Sequence, residues 1–168
     1  MRLTIRKLQE SDIEIISKAF QKIGWNKPVS QYQKYFCEQN KDKRLVLVAL
    51  IDDNFAGYLT ILWQSEYPPF KKQNIPEIVD LNVLPKYQRQ QIATGLMNKA
   101  ESLVKQKSDT IGIGVGLAPD YGPAQKMYVS RGYVPDGLGI VYDNKVVSFG
   151  QKVTVDHSLE IHLTKQLK

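Results

Sequence analysis

The segment from Asp80 to Met97 has residue types that could bind a phosphate group, because it joins a strand end, a polar turn and a helix start. It reads DLNVLPKYQRQQIATGLM. The first backbone amides of a helix have no partner within the helix and lie at the positive end of its dipole. Such a turn binds phosphate well, and Lys86 and Arg89 add positive charge. Every strand-to-helix turn offers similar amides, however, and most of them bind only water.

Two carboxylates, Glu77 and Asp80, precede this turn on the same predicted strand. A carboxylate at such a place can act as a general base or can hold a cationic substrate. Alternation along a strand places residues three apart on opposite faces, so we expect the two carboxylates to have different tasks. The other interpretation of each is a solvated or hydrogen-bonded strand side chain.

The composition indicates a globular protein with a surplus of positive charge. Of the 168 residues, 42% are apolar and 24% are charged, and 23 Lys and Arg against 17 Asp and Glu give a net charge of +6. This length predicts a single domain over residues 1–168. The charge favours acidic ligands such as phosphates, coenzymes or nucleic acid, and does not choose among them.

The cysteine and histidine content predicts no metal site. The single cysteine, Cys37, excludes an internal disulfide and a cysteine-based metal cluster, and we expect it to be buried on a helix. The histidines, His157 and His162, have no carboxylate cluster beside them in the sequence. Strand alternation against Leu159, Ile161 and Leu163 predicts that His162 is exposed.

The location expected from the sequence is cytoplasmic. The N-terminus is charged within its first ten residues and shows no apolar stretch typical of a signal peptide. The longest apolar run, at residues 45–51, is far shorter than the roughly 20 residues of a membrane helix.

Periodicity of the apolar residues predicts the elements that must position these groups. Strands are expected at residues 2–8, 44–51, 55–63, 75–84, 110–117, 140–142, 146–147 and 159–163, and helices at 11–24, 28–40, 91–107 and 123–131. Residues 64–74 are expected to be a loop because of their prolines and polarity. Ser11 and Glu14 suggest a capping box, and Tyr32 and Tyr35 are expected to pack.

The order of these elements predicts a mixed α/β sheet with helices on both faces. The runs at 44–51 and 55–63 should form an antiparallel hairpin around the Asp52-Asp53-Asn54 turn. The strands at 75–84 and 110–117 should be parallel, since a helix connects them by a right-handed crossover.

Two motifs in this order resemble the GNAT superfamily of N-acetyltransferases. The stretch PKYQRQQIATGLM is similar to its coenzyme-A signature, Arg/Gln-x-x-Gly-x-Gly/Ala, with Gln88 first, Gln91 at the middle glycine and Ala93 last. Residues 124–133 are similar to its Ala-x-x-x-Tyr-x-x-x-Gly-Phe/Tyr element, and IVDLNVLP resembles its fourth strand. The resemblance spans residues 1–133 well and the rest loosely, and implies the GNAT acyl-CoA N-acyltransferase fold.

The resemblance implies a site for acetyl-CoA between the strands at 75–84 and 110–117, where they splay apart. The pantetheine would pair with the main-chain groups of Leu81, Asn82 and Val83. One of these main-chain amides would also hold the thioester oxygen as negative charge develops on it. The pyrophosphate would bind the amides of the turn, which are those of Gln88, Arg89, Gln90, Gln91, Ile92, Ala93 and Thr94.

Two residues depart from the family pattern in this predicted coenzyme site. The Cβ of Gln91 takes up space that a glycine would leave to the phosphate, so we expect a lower affinity. Tyr121 stands where the family often has an asparagine that contacts the coenzyme.

The resemblance also implies a reaction, which is direct transfer of the acetyl group to a primary amine without a covalent enzyme intermediate. Glu77 lies where several members carry their glutamate base, eleven residues before Gln88. Asp80 matches a frequent acidic position, and either serves as base or orients the amine. Tyr128 matches the general acid that protonates the leaving thiolate, although tyrosines at this helical spacing also pack.

Two alternatives stay open beside this interpretation. One is a member that acetylates the amino acid on transfer RNA and acts as a toxin, which suits the charge of +6 although the basic residues are scattered. The other is a coenzyme-binding protein without activity, in view of Gln91 and Tyr121. We expect a small-molecule or peptide amine as partner rather than nucleic acid or a membrane, and we leave a homodimer open.

Overall fold

The computed structural model describes residues 2–167, so Met1 and Lys168 lie outside the described residues. The chain forms two compact units, of which the first comprises residues 2–63 and 78–103 and the second residues 64–77 and 104–167. Over residues 2–167 there are eight strands and five α-helices, which is the mixed α/β fold that the sequence predicts. The single domain over residues 1–168 stays a prediction.

The first unit contains four strands in the spatial order β1-β2-β3-β4, with bounds Leu3–Lys7, Arg44–Ile51, Asn54–Leu62 and Glu77–Val83. The first residue of β4, Glu77, belongs to the second unit. Strand β2 pairs antiparallel with β1 on one side and with β3 on the other. Every residue of β2 is buried, as expected for a central strand whose apolar run is continuous. The hairpin turn places Asp52 and Asp53 in the left-handed region, with φ of 45° and 63°, which confirms the predicted β2–β3 hairpin.

The first unit also contains three helices, α1 (Asp12–Gln21), α2 (Val29–Asn40) and α4 (Ile92–Val104), except for Val104 at the end of α4, which belongs to the second unit. The predicted face of α1 is correct, since Ile13, Ile16 and Phe20 are buried. The capping box is wrong, because Ser11 makes no side-chain capping hydrogen bond. The neighbouring carboxylate replaces it: Asp12 Oδ2 accepts from the backbone amide of Gln9 (2.8 Å).

The expectation that Cys37 is buried is also wrong. It lies on helix α2 as predicted, but its side chain is exposed. The buried residue of this helix is Tyr32, and Tyr35 and Phe36 are partly buried against the same core. Cys37 therefore points away from the side on which these aromatic rings pack, because residues one or two positions apart do not share a helix face.

Strands β3 and β4 approach each other very closely at one point. A Cβ atom added to Gly57 would lie 2.5 Å from the carbonyl oxygen of Asn82 and 3.1 Å from the Cα atom of Val83. Further along, the amide of Leu84 donates to the carbonyl oxygen of Ala56 (2.9 Å). Only glycine fits at position 57, so this residue sets how near the two strands lie.

The second unit contains helices α3 (Pro68–Lys72) and α5 (Gly122–Ser130) and four strands in the order β5-β8-β6-β7. These strands are β5 (Thr110–Gly116), β6 (Val134–Tyr142), β7 (Lys145–Val146) and β8 (Leu159–Gln166). The pairings β5–β8, β8–β6 and β6–β7 are antiparallel. The parallel pairing predicted for residues 75–84 and 110–117 stays a prediction.

The loop predicted at residues 64–74 is wrong in part, because it contains the short helix α3. Pro68 and Pro69 open this helix, a position where proline is tolerated since the first amides need no helical partner. Phe70 is buried and packs with Tyr67, whose ring centroid lies 5.0 Å away. None of the helices formed by residues 2–167 is long and apolar enough to cross a membrane.

Replacing Gly57 by alanine should destabilise the protein by about 1–3 kcal/mol, because the new methyl group would collide with the backbone of β4. Urea unfolding followed by circular dichroism measures this difference. Gly122→Ala is the matched control, because a Cβ at Gly122 meets nothing within 4 Å. Equal unfolding midpoints for the two variants would contradict the close approach.

Candidate functional site

Asp80 breaks the regular course of strand β4. Its φ of 57° lies in the left-handed region, which few residues other than glycine, asparagine and aspartate adopt. The prediction that Glu77 and Asp80 lie on opposite faces assumes a regular strand, and the left-handed backbone at Asp80 interrupts that regularity. The unusual backbone turns the Asp80 carboxylate toward side chains from α2, β3 and the α1–α2 connection.

The Asp80 carboxylate is the centre of a dense hydrogen-bond network within the first unit. Its Oδ1 accepts from Lys27 Nζ (2.7 Å) and from Asn82 Nδ2 (2.6 Å). Its Oδ2 accepts from Tyr58 OH (2.5 Å), Tyr35 OH (2.9 Å) and Gln31 Nε2 (2.9 Å). We call these residues the Asp80 network.

This network keeps Asp80 ionised. Burial alone would raise the pKa of the carboxyl group, but the Lys27 ammonium and the hydrogen bonds from Tyr58 and Tyr35 outweigh burial and hold the pKa below its ordinary value. Lys27 and Asp80 leave 20% and 18% of their side chains exposed, so the ion pair lies at the border of the core and can be reached from the solvent.

The tyrosines of the Asp80 network are fixed by their surroundings. Burial raises the pKa of Tyr35 and of Tyr58, so both phenols remain hydrogen-bond donors at neutral pH. Tyr35 stacks under the buried guanidinium of Arg44, which lies 4.1 Å from the ring centroid. Arg44 in turn donates to Glu38 Oε2 (2.6 Å) and Thr60 Oγ1 (2.6 Å), so its plane is held on both sides.

Sequence reasoning missed most of the Asp80 network. Tyr35 was expected only to pack, yet its hydroxyl donates to Asp80, while Lys27, Gln31 and Tyr58 were not considered. The signal available for Gln31 and Tyr35 was their helical spacing of four, which places both on one face of α2. For Lys27, which lies in a connection 53 residues from Asp80, the sequence carries no such signal.

The predicted phosphate turn exists and has an unusual backbone. A short 3-10 helix at Pro85–Tyr87 precedes it, and Arg89 and Gln91 are left-handed with φ of 58° and 60°. Gln91 therefore adopts, at a cost, the conformation that glycine adopts freely at the corresponding position of the signature.

The turn leaves amides available for an anion. The amide of Gly95 donates to the carbonyl oxygen of Gln91 (2.9 Å), which makes it the first i to i−4 bond of α4. The amides of Ile92, Ala93 and Thr94 precede this bond at the positive end of the helix. The Gln88 and Gln90 side chains point back to the carbonyl oxygens of Val83 and Lys86. The turn thus fits a pyrophosphate, although contact of residues 81–83 and 88–94 with a coenzyme stays a prediction.

Glu77 is the centre of a second polar cluster, which lies in the second unit. Its carboxylate is buried, and Oε2 accepts from the hydroxyl of Ser65 (2.5 Å). Its Oε1 lies 3.3 Å from Nε2 of His162. Ser65 also accepts from the backbone amide of Tyr67 (3.0 Å), so the serine is fixed by the chain segment that carries it.

The prediction that His162 is exposed is wrong, because its side chain is completely buried. The ring of Tyr67 stacks on the imidazole with centroids 3.8 Å apart, and Phe70 packs against it edge to face at 5.3 Å. Helix α3 and the residues before it therefore cover the face of β8 that alternation assigned to solvent. His157, by contrast, is exposed.

Tyr128 and Tyr121 belong to helix α5 and to the turn before it. Tyr128 is buried on α5, and burial raises its pKa, so the phenol keeps its proton at neutral pH as a general acid must. The hydroxyl of Tyr121 lies 2.6 Å from Nδ1 of His157, and its ring covers Gly116. The roles assigned to Tyr128, Glu77, Asp80 and Tyr121 stay predictions.

Comparison with known proteins gives the class of this protein. The model of the acetyltransferase (GNAT) family matches residues 11–133. This range includes both sequence motifs and strand β4, which carries Glu77 and Asp80. The chain therefore belongs to the GNAT acetyltransferase family, whose activity is acyl-CoA-dependent N-acetylation. A search of the curated proteins found no match.

Solved structures show the same fold. An N-acetyltransferase from Staphylococcus aureus Mu50 has a TM-score of 0.74 at 15% identity, with 100% of both chains covered. A PaiA N-acetyltransferase from Thermoplasma acidophilum in complex with coenzyme A has a TM-score of 0.66 at 17% identity, with 99% of both chains covered. A chimera of the Vibrio cholerae spermidine N-acetyltransferase SpeG has a TM-score of 0.71 at 14% identity, with 99% of this chain and 96% of that one covered.

Metal chemistry has no candidate among residues 2–167. They contain no group of three or more His, Cys, Asp or Glu side chains placed to hold a metal ion.

Replacing Asp80 by asparagine should destabilise the protein at neutral pH and change little in strong acid. Because the pKa of Asp80 is lower in the folded than in the unfolded chain, its carboxylate stabilises the fold above about pH 4, and this contribution is lost as the pH falls through the folded value. At pH 7 we expect the free energy of unfolding of the variant to be about 2–4 kcal/mol lower than that of the unsubstituted protein, and this difference should become smaller below about pH 4. Urea unfolding between pH 7 and pH 3 measures it.

Asp42→Asn is the control for this experiment, since Asp42 is an exposed, left-handed aspartate of the same unit. A constant difference between Asp80→Asn and the unsubstituted protein over the whole pH range would contradict an ionised Asp80.

Replacing Gln91 by glycine should strengthen coenzyme A binding roughly five-fold, because glycine has no Cβ atom in the space that the phosphate would occupy. Calorimetric titration with coenzyme A measures the affinity. Gln90→Gly adds similar chain flexibility between the same two left-handed residues and serves as the control. An equal or weaker affinity of Gln91→Gly would show that position 91 does not face the phosphate.

Proposed function

We propose that this protein moves the acetyl group of acetyl-CoA directly to a primary amine, and that the Asp80 network receives the amine as an ammonium ion. The observation that carries the proposal is the Lys27 ammonium, which already sits on Asp80 with Tyr58 OH 3.2 Å from Nζ. The network therefore suits a primary ammonium by charge, by its hydrogen-bond acceptors and by the Tyr58 ring, whose centroid is 5.8 Å from that nitrogen.

The acceptor ammonium would exchange with Lys27. The ammonium end of a lysine is a flexible, strongly hydrated group that leaves a pair at the border of the core more easily than a guanidinium fork would. The backbone of Lys27 has an anchor of its own, because its carbonyl oxygen accepts from Ser17 Oγ (2.8 Å). In the proposed exchange the side chain swings out while that anchor holds, and Asp80 Oδ1 accepts from the incoming ammonium in its place. Tyr58 and Tyr35 continue to donate to Oδ2 and hold the carboxylate in position.

Acetyl-CoA is the acetyl donor, in line with the acyl-CoA-dependent activity of the family. The amides of Gln88 to Thr94 would hold its pyrophosphate, and the main chain of Leu81, Asn82 and Val83 would pair with its pantetheine arm. A main-chain amide of this strand would stabilise the negative charge on the thioester oxygen during attack.

The amine must lose a proton before it can attack. A free alkylammonium has a pKa near 10.4, so only about one molecule in a few thousand is neutral at pH 7. Glu77 is the proposed base, since it is a buried carboxylate whose Oε2 is oriented by Ser65. The carboxylate takes the ammonium proton, directly or through water, as the nitrogen becomes nucleophilic.

Tyr128 is the proposed proton donor for the remaining steps. The carbon–nitrogen bond forms, the carbon–sulfur bond breaks, and the phenol of Tyr128 gives its proton to the departing thiolate. The acylated nitrogen then loses its second proton to solvent, which leaves a neutral amide. After release of the products, Glu77 loses its proton and Tyr128 regains one from solvent. The amide product and free coenzyme A leave the protein unmodified.

A thiol-release assay with acetyl-CoA and a panel of amines tests this function. The panel should include polyamines, amino-acid amides and peptides with a free N-terminus or a lysine. We expect release with at least one primary amine, and a fall of roughly 100-fold in kcat for Tyr128→Phe and for Glu77→Gln with KM for acetyl-CoA nearly unchanged.

Matched controls separate these effects from general damage. Tyr142→Phe removes a tyrosine hydroxyl that bonds Asp156 on the surface, and Asp109→Asn removes an exposed carboxylate of the same unit. Coenzyme A binding without thiol release for any amine would instead indicate a protein that binds the coenzyme without turnover. The amine itself, a homodimer and a cytoplasmic location stay predictions.

A further inference from the structure

His162 is a buried polar side chain whose needs the surrounding protein does not meet. Neither ring nitrogen makes a well-aligned hydrogen bond to any of the described residues, although the side chain is completely buried. A neutral imidazole in such a place would lose the hydrogen bonds that it makes in water, and no hydrogen bond within the protein would compensate for this loss of free energy. Buried unsatisfied groups of this kind are uncommon in folded proteins and often mark functional positions.

Two carboxylates face the same nitrogen of this ring. Nε2 lies 3.3 Å from Oε1 of Glu77 and 4.0 Å from Oε2 of Glu160. Gly114 makes room for this arrangement, because a Cβ there would lie 3.1 Å from Nε2 and 3.2 Å from Glu160 Oε2. No side chain of β5 therefore separates the imidazole from Glu160.

The other groups around the ring cannot take the place of these carboxylates. Tyr67 stacks on the imidazole, but its hydroxyl donates to Asp136 Oδ2 (2.8 Å), away from the ring nitrogens. Phe70 is apolar and presents its edge. Glu77 and Glu160 are thus the carboxylates that face Nε2 of this ring.

Glu160 links the cluster to the solvent. Its side chain keeps 32% of its area exposed, against 7% for that of Glu77. Burial raises the pKa of Glu160, the neighbouring His162 lowers it, and the Glu77 carboxylate raises it again. One carboxylate therefore affects the ionisation of the other, and the imidazole lies close to both.

We propose that His162 is the positioning residue for Glu77: in its protonated form the imidazole faces the Glu77 and Glu160 carboxylates with Nε2 and thereby holds the Glu77 carboxylate in place for its task. This inference rests on the proposed function, in which Glu77 is the base. Ser65 orients Oε2 of Glu77 and His162 approaches Oε1, so both oxygens have a fixed neighbour and each keeps a lone pair for the substrate proton.

Nuclear magnetic resonance of the imidazole nitrogens tests the pairing of His162 with the two carboxylates without a measurement of activity. The chain has two histidines, so a 15N-labelled sample gives two ring signals, and exposed His157 is an internal control. In Glu77→Gln the titration midpoint of His162 should fall by about one pH unit or more, since a negative neighbour is removed. In Glu160→Gln it should fall less, because that carboxylate is farther away and better solvated.

The midpoint of His157 should stay the same in both variants. An unchanged His162 midpoint in Glu77→Gln would overturn the inference. Circular dichroism confirms that each variant is folded before the titration is interpreted.

The pH profile of acetyl transfer provides the second readout. In His162→Phe, whose ring can still stack on Tyr67, Glu77 loses its positive neighbour and stays protonated to higher pH. The acid limb of kcat should therefore move up by about one pH unit, while KM for acetyl-CoA stays the same. His162→Gln, which restores a hydrogen-bond donor without charge, should show the same shift if charge is what matters. An unshifted limb in both variants would overturn the inference.

These outcomes separate the inference from the function on which it rests. Full activity of Glu77→Gln would remove Glu77 as base, whatever the His162 titration shows. An inactive Glu77→Gln together with an unchanged His162 midpoint would leave the base in place and overturn only the role of His162.

Discussion

The structure of the first unit depends on one constraint, which is that the Asp80 carboxylate lies where water reaches only part of it. A carboxylate in such a place is stable only when donors surround it, and β4 supplies it in a left-handed backbone that few residues adopt. The donors come from α2, from β3 and from the α1–α2 connection, so the carboxylate ties these elements to β4. Gly57 on β3 permits this arrangement, because the missing Cβ atom lets β3 lie close to the carbonyl oxygen of Asn82, two residues after Asp80 on β4.

The second unit shows the same physical rule in another form. Glu77 is buried with a serine hydroxyl and an imidazole, and among residues 2–167 the contacts of its carboxylate are with these two groups and not with a lysine or arginine. Where Asp80 is paired with a full positive charge, Glu77 is paired with a group that carries charge only when protonated. This difference suits the two roles proposed here. A carboxylate that receives an ammonium ion must stay negatively charged, whereas a carboxylate that acts as a base must be able to take up a proton.

Much of the fold could be predicted because it depends on local patterns. The apolar run at residues 44–51 and the turn after it fix the hairpin, and the spacing of Ile13, Ile16 and Phe20 fixes the buried face of α1. The failures come from tertiary packing. Alternation along β8 could not show that Tyr67 and Phe70 would cover His162, because those rings belong to a segment whose prolines indicated only a loop.

The site could be predicted only in part, for the same reason. Glu77 and Asp80 were proposed from their distance to a motif and Tyr128 from its place within one, and their roles stay predictions. The partners of Asp80 could not be found in this way, since contacts such as that of Lys27 join residues 53 positions apart. The left-handed backbone of Gln91 was also hidden, because only the geometry of the turn before α4 shows that this side chain occupies a conformation suited to glycine.

Carbon nuclear magnetic resonance on acetyl-CoA labelled with 13C at its carbonyl tests the central claim most directly. Incubated with the protein and a primary amine, the thioester signal should give way to an amide signal, and removal of the amine should stop the conversion. A label that stays in the thioester, or that appears as free acetate whether or not amine is present, would contradict direct transfer to an amine.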